Sequence, residues 1–65
     1  MQYLNSSAIH AVSYNAASGT LAIQFTSSGR WFDYFNVPEG VYRGLLAASS
    51  KGRYFNDYIR DQYAA

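Results

Sequence analysis

Apolar and polar residues alternate along three stretches in the first half of the chain. The alternation is clearest in TLAIQFT, where Leu21, Ile23 and Phe25 fall on one face of an extended segment. AIHAVSY before it and WFDYFN after it are rich in β-branched and aromatic residues, and glycine-bearing turns separate the three stretches. The pattern predicts an antiparallel meander with strands at about residues 8–14, 20–26 and 31–36.

The third predicted strand is apolar on both faces. Phe32 and Tyr34 share one side of it, whereas Trp31, Asp33 and Phe35 share the other. One layer of helices covers only one face of a sheet. The remaining face must therefore be covered by a partner or stay exposed.

The period of the pattern changes after the third strand. Val41, Leu45 and Ala48 recur at helical spacing, and Pro38 suits the first turn of a helix. Helices are predicted at about residues 38–49 and 52–62. We therefore expect one α+β domain over residues 1–65, a three-stranded antiparallel β-meander followed by two short α-helices packed on one face.

The first predicted helix carries two glycines four residues apart, Gly40 and Gly44. Each weakens a helix by about 1 kcal/mol relative to alanine. Together they leave a smooth groove, which favours close approach by a strand or a partner.

The segment SSKGRYFNDYIR combines three cations with three aromatic residues, and its start fits two arrangements. In one, Ser50 caps the second helix and Lys51, Gly52 and Arg53 form its first turn, whose backbone N–H groups would face an anion. In the other, which is commoner, Gly52 is the left-handed residue that ends the first helix. An apolar stripe is expected further along the second helix. Its members are Phe55, Tyr58 and Ile59.

Size and composition limit how such a fold is stabilised. A chain of 65 residues buries only ~60% of the surface that it exposes when unfolded. It has no cysteine, which excludes disulfides, and its one histidine and four carboxylates argue against a metal or another cofactor. Stability must come from the packing of seven tyrosines, four phenylalanines and one tryptophan, or from self-association into a homo-oligomer.

The charge is small overall but uneven along the chain. The formal net charge is +1, yet residues 43–60 hold four cations against one carboxylate. This distribution favours an anionic partner, although a solvated helix face explains it equally well. The sequence shows no membrane-spanning run and no secretion signal, so we expect a cytoplasmic protein without a membrane partner.

Catalytic chemistry is poorly supported by the sequence. Ser6 and Ser7 lie near His10 in the chain, but no carboxylate is spaced to orient that histidine. Asp57 and Asp61 each neighbour an arginine and are typical of ionised surface residues. We therefore expect a protein that is not an enzyme.

The order of these motifs resembles the KTSC domain, a family named for its occurrence at the C-terminus of some lysyl-tRNA synthetases. The resemblance rests on SSAI, VSYN, LAIQF and the long run FDYFNVPEGVYRGLLAASSKGRYFNDYIRDQY, and it covers about residues 6–63. The family implies a bacterial or phage module, alone or appended to larger proteins, without catalytic residues. Its link to synthetases implies RNA binding. The matching positions are Ser6, Ser7, Tyr34, Pro38, Tyr42, Ser50, Gly52, Phe55, Asn56 and Ile59.

The function expected is a non-catalytic module that binds a nucleotide or a short single-stranded RNA, because the small charge does not suit a long duplex. One form of such a module is a phage or bacterial protein that binds a nucleotide signal. The alternative is a protein-interaction or homo-oligomerisation module without a nucleic-acid ligand. The ligand-binding residues predicted are Ser7, Tyr34, Ser50, Lys51, Gly52, Arg53, Tyr54, Asn56 and Arg60.

Overall fold

The computed structural model describes residues 2–4 and 6–63, which form an antiparallel sheet with a helical layer on one face. The strands are β1 (Gln2–Tyr3), β2 (Ile9–Asn15), β3 (Thr20–Phe25) and β4 (Trp31–Tyr34). The helices are α1 (Glu39–Ala47) and α2 (Lys51–Tyr54), and a π-helical turn (Phe55–Ile59) follows α2 directly. Neighbouring strands in the sheet follow chain order, β1-β2-β3-β4.

The predicted α+β meander with two helical segments is confirmed, and one strand was not predicted. β1 has two residues and pairs with β2, with Gln2 opposite Val12 and Tyr3 opposite Ala11. It extends the three-stranded meander into a four-stranded sheet. The second helix is also shorter in its α-helical part than predicted, since the wider π turn replaces the α-helix from Phe55 onward.

An irregularity in β2 decides which of its side chains enter the core. Ile9 is opposite Phe25, but Ala11 rather than His10 is opposite Gln24, so one extra residue sits in β2. A β-bulge of this kind changes the side-chain alternation locally. As a result, Ile9 and Val12 both lie in the core although they are three residues apart.

The core lies between the sheet and the helical layer. The sheet contributes Ile9, Val12, Leu21, Ile23 and Tyr34. The helical layer contributes Leu45, Phe55 and Ile59, and the connection before α1 contributes Val37. Aromatic contacts join the two layers, because the Phe55 ring meets the edges or faces of Phe25 and Tyr34 at centroid distances of 5.1 and 5.5 Å.

A polar contact inside this packing anchors the segment before α1. The Tyr14 ring stacks on the Tyr42 ring at a centroid distance of 4.7 Å. The Tyr14 hydroxyl donates a hydrogen bond to the backbone carbonyl of the buried residue Val37 at 2.5 Å. The contact ties β2 to the start of the helical layer.

Substitution of Tyr14 by phenylalanine should lower the free energy of unfolding by about 1 kcal/mol, since it removes this hydrogen bond while keeping the ring. Tyr58→Phe is the matched control, because Tyr58 is exposed and should tolerate the change. Urea denaturation of both variants measures the difference. Equal midpoints for the two variants would contradict the assignment.

The outer face of the sheet carries no helix. Trp31 and Tyr3 are exposed on it, near opposite edges of the sheet. The sequence predicted that this face is either exposed or covered by a partner. Across residues 2–4 and 6–63, no helix has both the length and the hydropathy needed to span a bilayer.

Candidate ligand-binding site

A cavity of about 220 Å³ lies between the loop before β2 and the start of α2. Its lining is mostly polar and contains one charged residue. The lining residues are Ser6, Ser7, Ala8, Ser49, Ser50, Lys51 and Gly52. The cavity therefore joins two segments that lie more than forty residues apart in the sequence.

The start of α2 forms one wall of this cavity. The Ser50 side chain accepts a hydrogen bond from the Arg53 backbone N–H at 3.4 Å, so Ser50 is the N-cap. Gly52 lies inside the helix and is not among the residues with positive φ. The commoner of the two predicted arrangements, with Gly52 as a left-handed end of the first helix, is therefore wrong.

Gly52 has a packing role instead. A Cβ atom added at this position would lie 2.9 Å from the Cβ atom of Ala8, which is too close for two carbon atoms. Only glycine lets the first turn of α2 approach the loop this closely without a shift. Both residues of this close approach line the cavity.

The loop that forms the other wall is held by its own hydrogen bonds. The Ser6 hydroxyl oxygen accepts from the backbone N–H groups of Ala8 and Ile9 at 3.2 and 3.3 Å. The Ala8 carbonyl accepts from the Thr26 N–H at 3.0 Å, which ties the loop to the end of β3. Both walls are thus fixed by local hydrogen bonding and by the sheet.

Several hydrogen-bond donors belong to residues that line the cavity. The Lys51 ammonium donates to the Ala48 carbonyl at 2.8 Å and keeps two further N–H donors. The first backbone bond of the second helix runs from Tyr54 N–H to the Ser50 carbonyl, so the N–H groups of Lys51 and Gly52 precede it. No carboxylate is among the seven lining residues.

A second, shallower hollow of similar size adjoins the first across Ser49 and Ser50. It is more apolar, and its remaining lining residues are Ala48, Arg53, Tyr54, Asp57 and Tyr58. The Tyr54 and Tyr58 rings lie 4.6 Å apart, and the Tyr58 residue is 56% exposed. The hollow therefore offers an accessible aromatic surface beside the polar cavity.

Two contacts fix the side chains of this hollow to different degrees. The Tyr54 hydroxyl donates to the Val41 carbonyl at 3.0 Å, and burial raises the pKa of this hydroxyl. Arg53 approaches Asp57 at 3.6 Å, but both side chains are exposed, so this ion pair contributes little and leaves the guanidinium accessible.

Six of the nine predicted ligand-binding residues lie at these two hollows, and three do not. Ser7, Ser50, Lys51 and Gly52 line the polar cavity, and Arg53 and Tyr54 line the adjoining hollow. The three outside are Tyr34, Asn56 and Arg60.

Tyr34 was predicted to bind the ligand, but its ring is packed in the core and lines neither hollow. Burial raises the pKa of the Tyr34 hydroxyl, while the positive charge of Arg60 acts on it in the opposite direction. Arg60 lines neither hollow. Asn56 is exposed but lines neither hollow.

Six residues that line the two hollows were not among the predicted ligand contacts, namely Ser6, Ala8, Ala48, Ser49, Asp57 and Tyr58. Ser49 carried no signal beyond its position in a serine pair, and Ser6 was noted only as part of a family motif. Tyr58 was assigned to the apolar stripe of the second helix, but the π turn leaves it exposed.

Comparisons with known proteins agree with the fold. The KTSC domain matches residues 5–63. A crystal structure of a KTSC domain protein from Yersinia pestis superposes with a TM-score of 0.91, at 33% identity over 97% of this chain and 87% of that chain. A protein of Tsukamurella paurometabola is 42% identical over 65 residues, which is 100% of this chain and 96% of the relative.

One group of relatives is much longer. A protein named lysine–tRNA ligase from Nostoc punctiforme is 40% identical over 57 residues, which cover 88% of this chain but 10% of the ligase. The same module thus stands nearly alone in one relative and forms a small part of another. The chain belongs to the KTSC domain family.

Proposed function

We propose that this chain is a non-catalytic module that binds a phosphate-bearing ligand, a nucleotide or a short single-stranded RNA, in the cytoplasm of a bacterial or phage-infected cell. The observation that carries the proposal is the polar cavity between the loop before β2 and the start of α2. Its donors are the Lys51 ammonium, four serine hydroxyls and two backbone N–H groups, and its lining residues include no carboxylate. This donor set suits an anion with several acceptor oxygens.

The adjoining hollow supports a ligand that carries a flat ring as well as a phosphate. Bases stack on tyrosine faces with a contribution of about 1–3 kcal/mol each. The exposed residue Tyr58 lines the hollow that shares Ser49 and Ser50 with the cavity. A phosphate beside Lys51 and a base over Tyr58 would occupy both hollows at once. Relatives named lysine–tRNA ligase favour RNA as one source of such a ligand.

The non-catalytic part of the proposal rests on the position of His10. It lies on β2 with its ring 5.3 Å from that of Tyr3, and none of the hydrogen bonds among the described residues joins it to Ser6 or Ser7. In the described ranges, no three potential metal-binding side chains cluster together. Binding without chemistry is the simplest use of the cavity.

The test is calorimetric titration with adenosine 5′-monophosphate and with a six-nucleotide oligouridylate. Lys51→Gln should weaken binding of both probes about tenfold, because it removes a charge-assisted contact. Tyr58→Ala should weaken both by a similar factor without affecting inorganic phosphate. Arg43→Gln is the control, because it also removes one positive charge but at a residue that lines neither hollow.

Salt dependence separates the two ligand classes. Each phosphate neutralised on a single strand contributes about −0.7 to the slope of log affinity against log salt. A nucleotide should give a slope near −1, and the oligouridylate a steeper one only if several phosphates are bound. Absence of binding by both probes and by inorganic phosphate at millimolar concentration would reject the proposal.

A further inference from the structure

The outer edge of β4 is unpaired in the part of the chain that the structure describes. β4 pairs with β3 on one side only, and it is the last strand in the order β1-β2-β3-β4. Such an edge presents free N–H and C=O groups to any strand that can align with it.

The register identifies which backbone groups face outward. Phe25 N–H donates to the Arg30 carbonyl, and opposite pairs along β3 and β4 alternate between hydrogen-bonded and non-hydrogen-bonded. Phe32 and Tyr34 therefore bond to β3. Trp31 and Asp33 direct their N–H and C=O groups away from the sheet.

This edge is short and carries one carboxylate, Asp33, but it lacks three other features by which sheets avoid association. It has no lysine, proline or bulge between Trp31 and Tyr34. Large aromatic residues are accessible along it, with Trp31 41% exposed, Phe32 39% and the following residue Phe35 47%. Exposed aromatic residues beside free backbone groups mark a surface suited to another strand.

We propose that the β4 edge binds the β4 edge of a second copy of this chain, antiparallel, so that the two sheets become one. A second copy is the occupant that fits, because in a two-fold arrangement Trp31 and Asp33 of each chain supply both donors and acceptors. This proposal is independent of the ligand, since no residue that lines either hollow belongs to β4.

Side-chain direction and charge select one register. Residues directly opposite each other in a sheet share a face, whereas neighbouring residues of one strand do not. The two-fold axis must therefore place one residue directly opposite its own copy. Two registers overlap most of β4, one centred on Phe32 and the other on Asp33. Centring on Asp33 places two carboxylates opposite each other, which is unfavourable.

Centring on Phe32 avoids this repulsion. The two Phe32 rings then meet as a non-hydrogen-bonded pair, in which side chains lie closest. Trp31 of each copy is opposite Asp33 of the other, and these residues exchange four backbone hydrogen bonds across the interface. The predicted dimer therefore has one register and one set of contacts.

Proline substitution tests the backbone contact. Asp33→Pro removes an N–H that faces the free edge and none that bonds β3, so it should raise the dimer dissociation constant tenfold or more for the two hydrogen bonds lost. Asp33→Ala keeps that N–H and should still dimerise. Sedimentation velocity from about 10 to 500 μM measures both, and a wild-type monomer throughout would overturn the proposal.

Cysteine substitution tests the register without relying on proline tolerance. The chain has no cysteine, so a single introduced thiol reports one position. Under mild oxidation Phe32→Cys should form a disulfide-linked dimer, because facing Cα atoms in such a pair lie within disulfide range. Asp33→Cys should not. Cross-linking of Asp33→Cys alone, or of neither variant, would overturn the register centred on Phe32.

Discussion

Replacing Phe55 with alanine is expected to lower the free energy of unfolding by about 3–5 kcal/mol at 25 °C. Phe55 is 7% exposed and its ring joins the helical layer to Phe25 and Tyr34 of the sheet. A buried phenylalanine changed to alanine costs about 3–5 kcal/mol. A domain of 65 residues has a total stability of about 3–10 kcal/mol, so the loss removes much or all of it.

The matched control for this variant is Phe35→Ala. Phe35 is exposed just after β4 and lies outside the core cluster, so its removal should change the free energy of unfolding by less than about 0.5 kcal/mol. Circular dichroism at 25 °C and urea titration, both at low protein concentration, measure the two variants. A folded Phe55→Ala with a midpoint close to that of Phe35→Ala would show that the two layers are joined elsewhere.

The strands were predictable because each has a local pattern, and β1 was not because it lacks one. Leu21 and Ile23 are buried on the face that their alternation assigned to the core. β1 has two residues and is defined by its pairing with β2. A strand that exists only through a long-range pairing leaves no periodicity for the sequence to reveal.

The second helix shows where helical spacing misleads. Phe55 and Ile59 are four residues apart and both are buried, as predicted. Tyr58 was expected in the same stripe, but a hydrogen bond from Arg60 N–H to the Phe55 carbonyl at 2.9 Å closes a π turn there. A π turn is wider than an α turn, so α-helical spacing does not give the directions of its side chains.

The candidate site was predictable in its chemistry but not in its geometry. Capping rules offered Ser50 as a helix start, with Lys51 and Gly52 beside free N–H groups, as the less common of two arrangements, and the structure has this one. The opposite wall comes from a loop more than forty residues earlier, through the close approach of Gly52 to Ala8. Tyr34 was predicted at the site but lies in the core, because an aromatic residue suited to stacking is equally suited to the core.

Gly44→Ala is expected to destabilise the protein by about 1–3 kcal/mol, although alanine is the better helix former. A Cβ atom at Gly44 would lie 2.2 Å from the Tyr54 hydroxyl oxygen and 2.7 Å from its ring carbon. The ring would have to move, losing the hydrogen bond to the Val41 carbonyl and its contact with Tyr58. Overpacking and a lost hydrogen bond together exceed the helix-propensity gain of about 1 kcal/mol.

The same substitution one turn earlier should have the opposite sign. Gly40 lies on α1 with no atom within 4 Å of an added Cβ, so Gly40→Ala should stabilise by about 0.4–1 kcal/mol through helix propensity and reduced unfolded-state entropy. Thermal denaturation measures the melting temperatures of Gly40→Ala and Gly44→Ala, which are the same substitution at two positions of α1. Tyr54 also lines the hollow that adjoins the polar cavity. Gly44→Ala should therefore weaken nucleotide binding, whereas Gly40→Ala should leave it unchanged. If both alanine variants raised the melting temperature, the Tyr54 ring would not be packed against Gly44. Tyr54 would then not form a fixed side of the hollow that adjoins the polar cavity.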